Sequence, residues 1–127
     1  MIVKIKNLKL QTIVGINDWE RKEKQDVIIN IEAEFDENPA LETDNIEDSV
    51  NYRTMTKKII NLVESSSFQL LEKLASEVLK IVMEDKKVLS TKVEVDKPGA
   101  LRFSESVSVE CSAMREKEFV CLARKNS

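Results

Sequence analysis

Residues 27–35 run Val27-Ile28-Ile29-Asn30-Ile31-Glu32-Ala33-Glu34-Phe35. Val27, Ile29, Ile31, Ala33 and Phe35 fall on one side, and Ile28, Asn30, Glu32 and Glu34 on the other. Such alternation is a strand with one buried face. Upstream, residues 2–14 read as a second strand whose parity changes. Val3 and Ile5 share one side, then Leu8, Leu10, Val14 and Ile16 take the other. A switch of parity inside a strand predicts a bulge, here near Lys6-Asn7, because one extra residue turns every later side chain over. Gly15 ends the run, so the two strands pair as a long hairpin joined by Asn17–Lys24.

Downstream the period becomes helical. Met55, Ile59, Leu62 and Val63 follow Asn51, a suitable N-cap. A second helix is expected after Ser65-Ser66-Ser67, with Ser66 and Gln69 at capping-box spacing. Its apolar set is Phe68, Leu70, Leu71, Leu74, Ala75, Val78, Leu79, Ile81 and Val82. Period two then returns with Leu89, Val93 and Val95, and Lys97 shares their side. Beyond Lys97-Pro98-Gly99-Ala100, a last strand is expected to align Leu101, Phe103, Val107, Val109, Cys111 and Ala113. The order ββααββ predicts an α+β domain, a four-stranded antiparallel sheet with two helices on one face. Its two open edges call for pairing with other copies of the chain. The acid-rich stretch Asp36–Asp48 and the polar tail, residues 115–127, are expected to be the least ordered, leaving one domain over residues 1–114.

Composition narrows the chemistry. Twenty Lys and Arg against 23 Asp and Glu give a net charge of −3, without the basic stripe of a nucleic-acid binder. The chain of 127 residues contains no His. That excludes a His general base, a Ser-His or Cys-His nucleophile pair and zinc sites built on imidazole. Cys111 and Cys121 are too few for a disulfide framework and read as free thiols in a reducing cytoplasm. The start, Met1 to Lys6, alternates apolar and charged residues, so no signal peptide is expected there. No apolar run reaches the roughly 18 residues of a membrane span.

Four residues sit oddly in this pattern. Glu72 lies at the border of an apolar helix face, where a carboxylate either reaches solvent or anchors a ligand. A carboxylate accepts two parallel N–H bonds and so suits the guanidine-like edge of a pterin or guanine. Lys97 has buried parity at a strand end before a Pro-Gly turn. It either snorkels to water or takes part in proton transfer. Glu20 stands among Arg21, Lys22, Glu23 and Lys24, and by itself reads as one charge of a solvated loop. Tyr52, the single Tyr, opens the first helix and by itself reads as packing.

Four stretches carry a resemblance. They are Gly15-Ile16-Asn17-Asp18-Trp19-Glu20 with Gln25; Asp48-Ser49-Val50-Asn51-Tyr52; Leu70-Leu71-Glu72-Lys73-Leu74; and Val95-Asp96-Lys97-Pro98-Gly99-Ala100. In this order the chain to about Met114 resembles the dihydroneopterin aldolase family, which includes dihydroneopterin triphosphate 2′-epimerase. The resemblance implies the tunnelling fold, in which four subunits close their sheets into a ring and two rings stack, so a homo-tetramer or octamer with interfacial active sites is expected. It implies Glu72 as the carboxylate on the pterin 2-amino and N3 edge, beside a main-chain contact from Leu71. It implies Lys97 as the catalytic lysine, Tyr52 as a tyrosine supplied across an interface, and Glu20 as the acid near the trihydroxypropyl side chain. The tail has no counterpart in it.

The implied reaction is retro-aldol cleavage of 7,8-dihydroneopterin, a small-molecule substrate, to 6-hydroxymethyl-7,8-dihydropterin and glycolaldehyde. The pterin C6=N5 imine accepts the electrons, so the resemblance implies neither cofactor nor metal. Zinc-dependent relatives of the same fold need His. If the aldehyde turns over before re-bonding, the 2′ centre is epimerised by the same residues. Asp18-Trp19-Glu20 and Lys97–Ala100 lean to the aldolase branch; Asn51-Tyr52-Arg53-Thr54 and Ala100-Leu101-Arg102 lean to the epimerase. Cleavage is placed first and epimerisation second, ahead of a non-catalytic binding module. Arg53, Lys57 and Arg102 are candidates either for a triphosphate or for plain surface charge.

Overall fold

The computed structural model describes residues 1–36 and 38–115. Strands β1 (Ile2–Val14) and β2 (Gln25–Phe35) form the expected hairpin. Its register slips between Ile5 and Leu8, and Asn7 takes a φ of 52° there. Asn tolerates that conformation better than most residues. The Asn7 N–H bonds to Asn30 Oδ1 at 2.8 Å, which fixes the bulge on β2.

Asp36–Asp48 carries more structure than its composition suggests. It holds a short helix, α1 (Asn38–Thr43), and a 3-10 turn at Ile46–Asp48 capped by the Asn45 side chain. Helix α2 (Tyr52–Ser65) begins as predicted: Asn51 Oδ1 accepts from the Thr54 N–H at 3.2 Å. Helix α3 (Leu71–Met83) begins later than predicted. Ser66 does not cap it; Ser66 closes α2, its hydroxyl bonding to Val63 O at 2.9 Å. Between the helices Ser67–Phe68 forms a short strand, β3, parallel to Ile13–Val14 of β1. Parallel pairing with the end of β1 wins because it satisfies main-chain groups that a longer helix would leave at that edge.

Strands β4 (Val88–Pro98) and β5 (Ser106–Met114) complete the sheet, in the order β3-β1-β2-β4-β5. The sheet is therefore five-stranded and mixed, not four-stranded and antiparallel, through one two-residue parallel pairing. β5 starts later than its alternation predicts. Leu101 and Phe103 lie in the β4–β5 turn, and Phe103 is 98% exposed with a φ of 69°. A second slip, between Glu34 and Phe35, lets Val88 join the core despite its parity.

The core lies between the sheet and the two long helices. Ile29, Ile31, Val93 and Val95 from the sheet meet Ile59, Val63, Leu74, Val78 and Val82 from the helices, all at most 2% exposed. Full burial of such side chains contributes about 1.5–3 kcal/mol each before the entropy of ordering them. α2 packs on β1, and α3 on β4 and β5. Buried Thr12 ties β1 to the end of α2, its hydroxyl within 3.2 Å of Ser66 O. Arg115 gathers Val88 O, Met83 O and Asp85 O within 3.1 Å and locks the turn after α3. The rest of the expected tail, with Cys121, lies outside the described residues. Cys111 is a free, partly buried thiol, and burial pushes its pKa up. Among the described residues no helix is long and apolar enough to cross a membrane.

Candidate active site

The sheet ends and the hairpin loop converge on one buried pair. Lys97 projects from the end of β4 on the core side, as its parity predicts, and is 9% exposed. Its Nζ donates to Val14 O at 3.2 Å and to the Glu20 carboxylate. An ammonium has three N–H bonds, so one is left for water or a ligand.

Glu20 corrects the reading of a solvated loop charge: it is 6% exposed. The loop folds its carboxylate back over Gly15, whose φ is 133° and where a Cβ would overlap the carboxylate. Only glycine meets both conditions. The Asn17 N–H donates to Glu20 Oε1 at 3.1 Å. Gln25 Nε2 donates to Val14 O at 3.1 Å, so Val14 O serves both Gln25 and Lys97. The hydrogen bond from Lys97 holds the Glu20 carboxyl below the usual carboxylate range, against the upward pull of burial and with help from Asn17 and Gln25. Glu20 is thus held as an ionised carboxylate in contact with Lys97.

A second group stands near this pair. The Gly15 N–H donates to Phe68 O at 3.2 Å, which brings the lead-in of α3 against the Glu20 loop. Leu71 and Glu72 open α3 just beyond it, Glu72 exposed and Leu71 partly so. Leu70, at the cap position, gives no side-chain hydrogen bond to the first turn of α3. A carboxylate in the first turn, where a helix leaves N–H groups without an intrahelical partner, suits a planar edge with both donors and acceptors.

Tyr52 is not part of this cluster. It opens α2 and is 50% exposed, so it is not the packing residue its position suggests. α2 has 14 residues, roughly 20 Å of axis, and its other end is the one pinned to Thr12 and β3. Arg53 and Lys57 share the Tyr52 end and are exposed. Arg102 lies in the turn after Lys97, its guanidinium 5.2 Å from the Phe103 ring centroid. The bonding roles of Gly15, Gln25 and Arg21 escape a reading of the sequence by pattern. The signal is present as a Gly with Glu five positions on and a polar amide five beyond that.

Among the described residues no three His, Cys, Asp or Glu side chains gather as a metal site needs. The fold and the buried carboxylate–amine pair define an α+β protein whose sheet end and hairpin loop bring a carboxylate and an amine together. The family model described as dihydroneopterin aldolase (FolB) matches residues 3–112, and the chain belongs to this family of enzymes. It is 46% identical to dihydroneopterin triphosphate 2′-epimerase of Pseudomonas aeruginosa, over 89% of this chain and 92% of that protein. It is 29% identical to dihydroneopterin aldolase of Escherichia coli K12, over 85% of this chain and 88% of that protein. Its fold matches the E. coli dihydroneopterin aldolase solved in complex with neopterin, with a TM-score of 0.84 and 27% identity over 89% of this chain and 98% of that one.

Proposed function

We propose that the chain epimerises the 2′ centre of 7,8-dihydroneopterin triphosphate, with cleavage of 7,8-dihydroneopterin as its second activity. One observation carries that order: 46% identity to an epimerase against 29% to an aldolase. The motifs alone place cleavage first; the relatives favour the alternative. Cleavage keeps the support of the family match and of the fold shared with the neopterin-bound aldolase.

In this reading Glu72 accepts the 2-amino and N3 hydrogens of the pterin, with Leu71 giving a main-chain contact. Lys97, acting as the amine with its lone pair free, takes the proton of the 2′-hydroxyl through an ordered water, and the Glu20 carboxylate holds the ammonium that results. The C1′–C2′ bond breaks, its electrons move into the C6=N5 imine, and C2′–O becomes a carbonyl. The imine is the electron sink, so the step needs no cofactor or metal. If the aldehyde turns its other face and C1′ re-forms the bond, the proton returns to O2′ and the centre is inverted. If the aldehyde leaves, the carbon must be protonated, and Tyr52 of a neighbouring subunit supplies that proton. The described residues leave the outer side of β5, and of β1 before Ile13, without a paired strand. Edge-to-edge closure into a homo-tetramer, or a stacked octamer, would pair those edges and carry Tyr52, Arg53 and Lys57 toward another subunit's site. A cytoplasmic site of action fits the free thiol of Cys111.

The test is kcat/KM for dihydroneopterin triphosphate and for dihydroneopterin. The triphosphate is expected to be at least tenfold better, an advantage that shrinks with added salt as exposed phosphate contacts are screened within about 8 Å. Equal values for the two substrates would return cleavage to first place.

A further inference from the structure

We propose that Arg21 is a positioning residue that holds the two halves of the site, the Glu20–Lys97 pair and the opening of α3, in one frame. The proposal rests on the reading of those halves as proton-transfer pair and pterin anchor. Arg21 follows Glu20 directly. Its main-chain N–H bonds to Asn17 O and Asp18 O, both at 3.2 Å, which closes the turn that carries Glu20. Its guanidinium reaches the other way. Nη1 donates to Gly15 O at 3.2 Å and to Phe68 O at 3.1 Å, and Nη2 donates to Ser67 O at 2.6 Å. One planar fork thus joins the end of β1 to both residues of β3.

The junction needs such a joint. β3 is two residues long, and so short a parallel pairing holds little by itself. α3 has no side-chain cap to fix its start, and Leu71 comes only three residues after Phe68. Gly15 is engaged at three points: its N–H holds Phe68 O, its carbonyl takes Arg21, and its Cα faces the Glu20 carboxylate. Moving Arg21 therefore moves the carboxylate and the helix start relative to each other. Lys, a single charge on a flexible stem, cannot bridge three carbonyls on two strands with the same geometry.

The test compares wild type, Arg21→Lys and Arg21→Met by amide hydrogen exchange, by titration with neopterin and by turnover. In Arg21→Met the amides of Gly15 and Asn17 are expected to exchange at least about tenfold faster, while those of Ile29 and Ile31 stay within about twofold. Neopterin affinity and kcat should both fall, kcat by about 100-fold, as for a misplacement near 1 Å. Arg21→Lys should fall between. Unchanged exchange at Gly15 and Asn17 overturns the proposal. So does an equal rise at Ile29 and Ile31, which makes Arg21 a general stability residue, and so does a loss of kcat at unchanged neopterin affinity. The exchange result stands whichever pterin is turned over, so a wild type inactive on both substrates would sink the functional reading while the exchange pattern still decides the role of Arg21.

Discussion

The Glu20 carboxylate occupies the space where any side chain at residue 15 would lie, so Gly15→Ala is in effect a substitution at the proton-transfer pair. It is expected to lower kcat by about 10²–10⁴-fold, the contribution of a general acid–base group, and to weaken neopterin affinity as well, because the Gly15 N–H also holds Phe68 O ahead of α3. Turnover beside a neopterin titration checks this; wild-type kcat in Gly15→Ala contradicts it. Glu20 also links stability to pH. Its carboxyl is held low by Lys97, so its contribution is fully present above the ordinary Glu value of roughly 4.3 and is lost as pH falls through the lower folded value. The gap in Tm between wild type and Glu20→Gln should therefore close as pH drops from about 6 to about 3. A constant gap would mean that Lys97 does not hold the carboxylate. At this scale the sequence is half legible. Parity alone puts Lys97 inside, because alternation along a strand reports the face directly. Glu20 is hidden by the run of charges that follows it, Arg21 to Lys24, and what holds it is a lysine 77 residues away.

Helix and strand ends divide the same way. The cap at Asn51 and the bulge at Asn7 are local events, and both are readable because a single residue type supplies the bond or the φ value. Asn51→Ala should cost about 1 kcal/mol of stability by fraying the first turn of α2, the turn that carries Tyr52 and Arg53. Urea denaturation measures that cost; no change in midpoint would show the cap to be idle. The start of α3 and the turn before β5 defeat pattern reading for one reason. Phe68 has the spacing of a helix face and Phe103 the parity of a strand, yet each obeys a distant main-chain partner or a turn. Phe68 pairs with Val14, while Gly99 N–H closes on Glu105 O at 3.3 Å and leaves Phe103 in solvent. Periodicity carries no information about such partners.

At the scale of the whole molecule, the order of the long strands and helices, and with it the α+β class, is legible because each long element buries one face. The small parallel strand is not, since two residues have no period to read. The proposed site spans more than one protomer, and that is testable. A Tyr52→Phe protein mixed and reassembled with a Lys97→Ala protein should recover cleavage that neither has alone, because some sites then receive an intact Lys97 and an intact Tyr52 from different chains. No recovery in a mixed oligomer would place Tyr52 outside the neighbouring site. The central claim is that the Glu20–Lys97 pair inverts the 2′ centre by opening and re-forming the C1′–C2′ bond. Its most direct test follows dihydroneopterin triphosphate by NMR with wild type and with Lys97→Ala. Wild type should bring the two 2′ epimers to the same ratio from either side with little free aldehyde, and Lys97→Ala should do so about 10²–10⁴-fold more slowly. Aldehyde released in step with loss of the triphosphate, or an undiminished rate in Lys97→Ala, would contradict it.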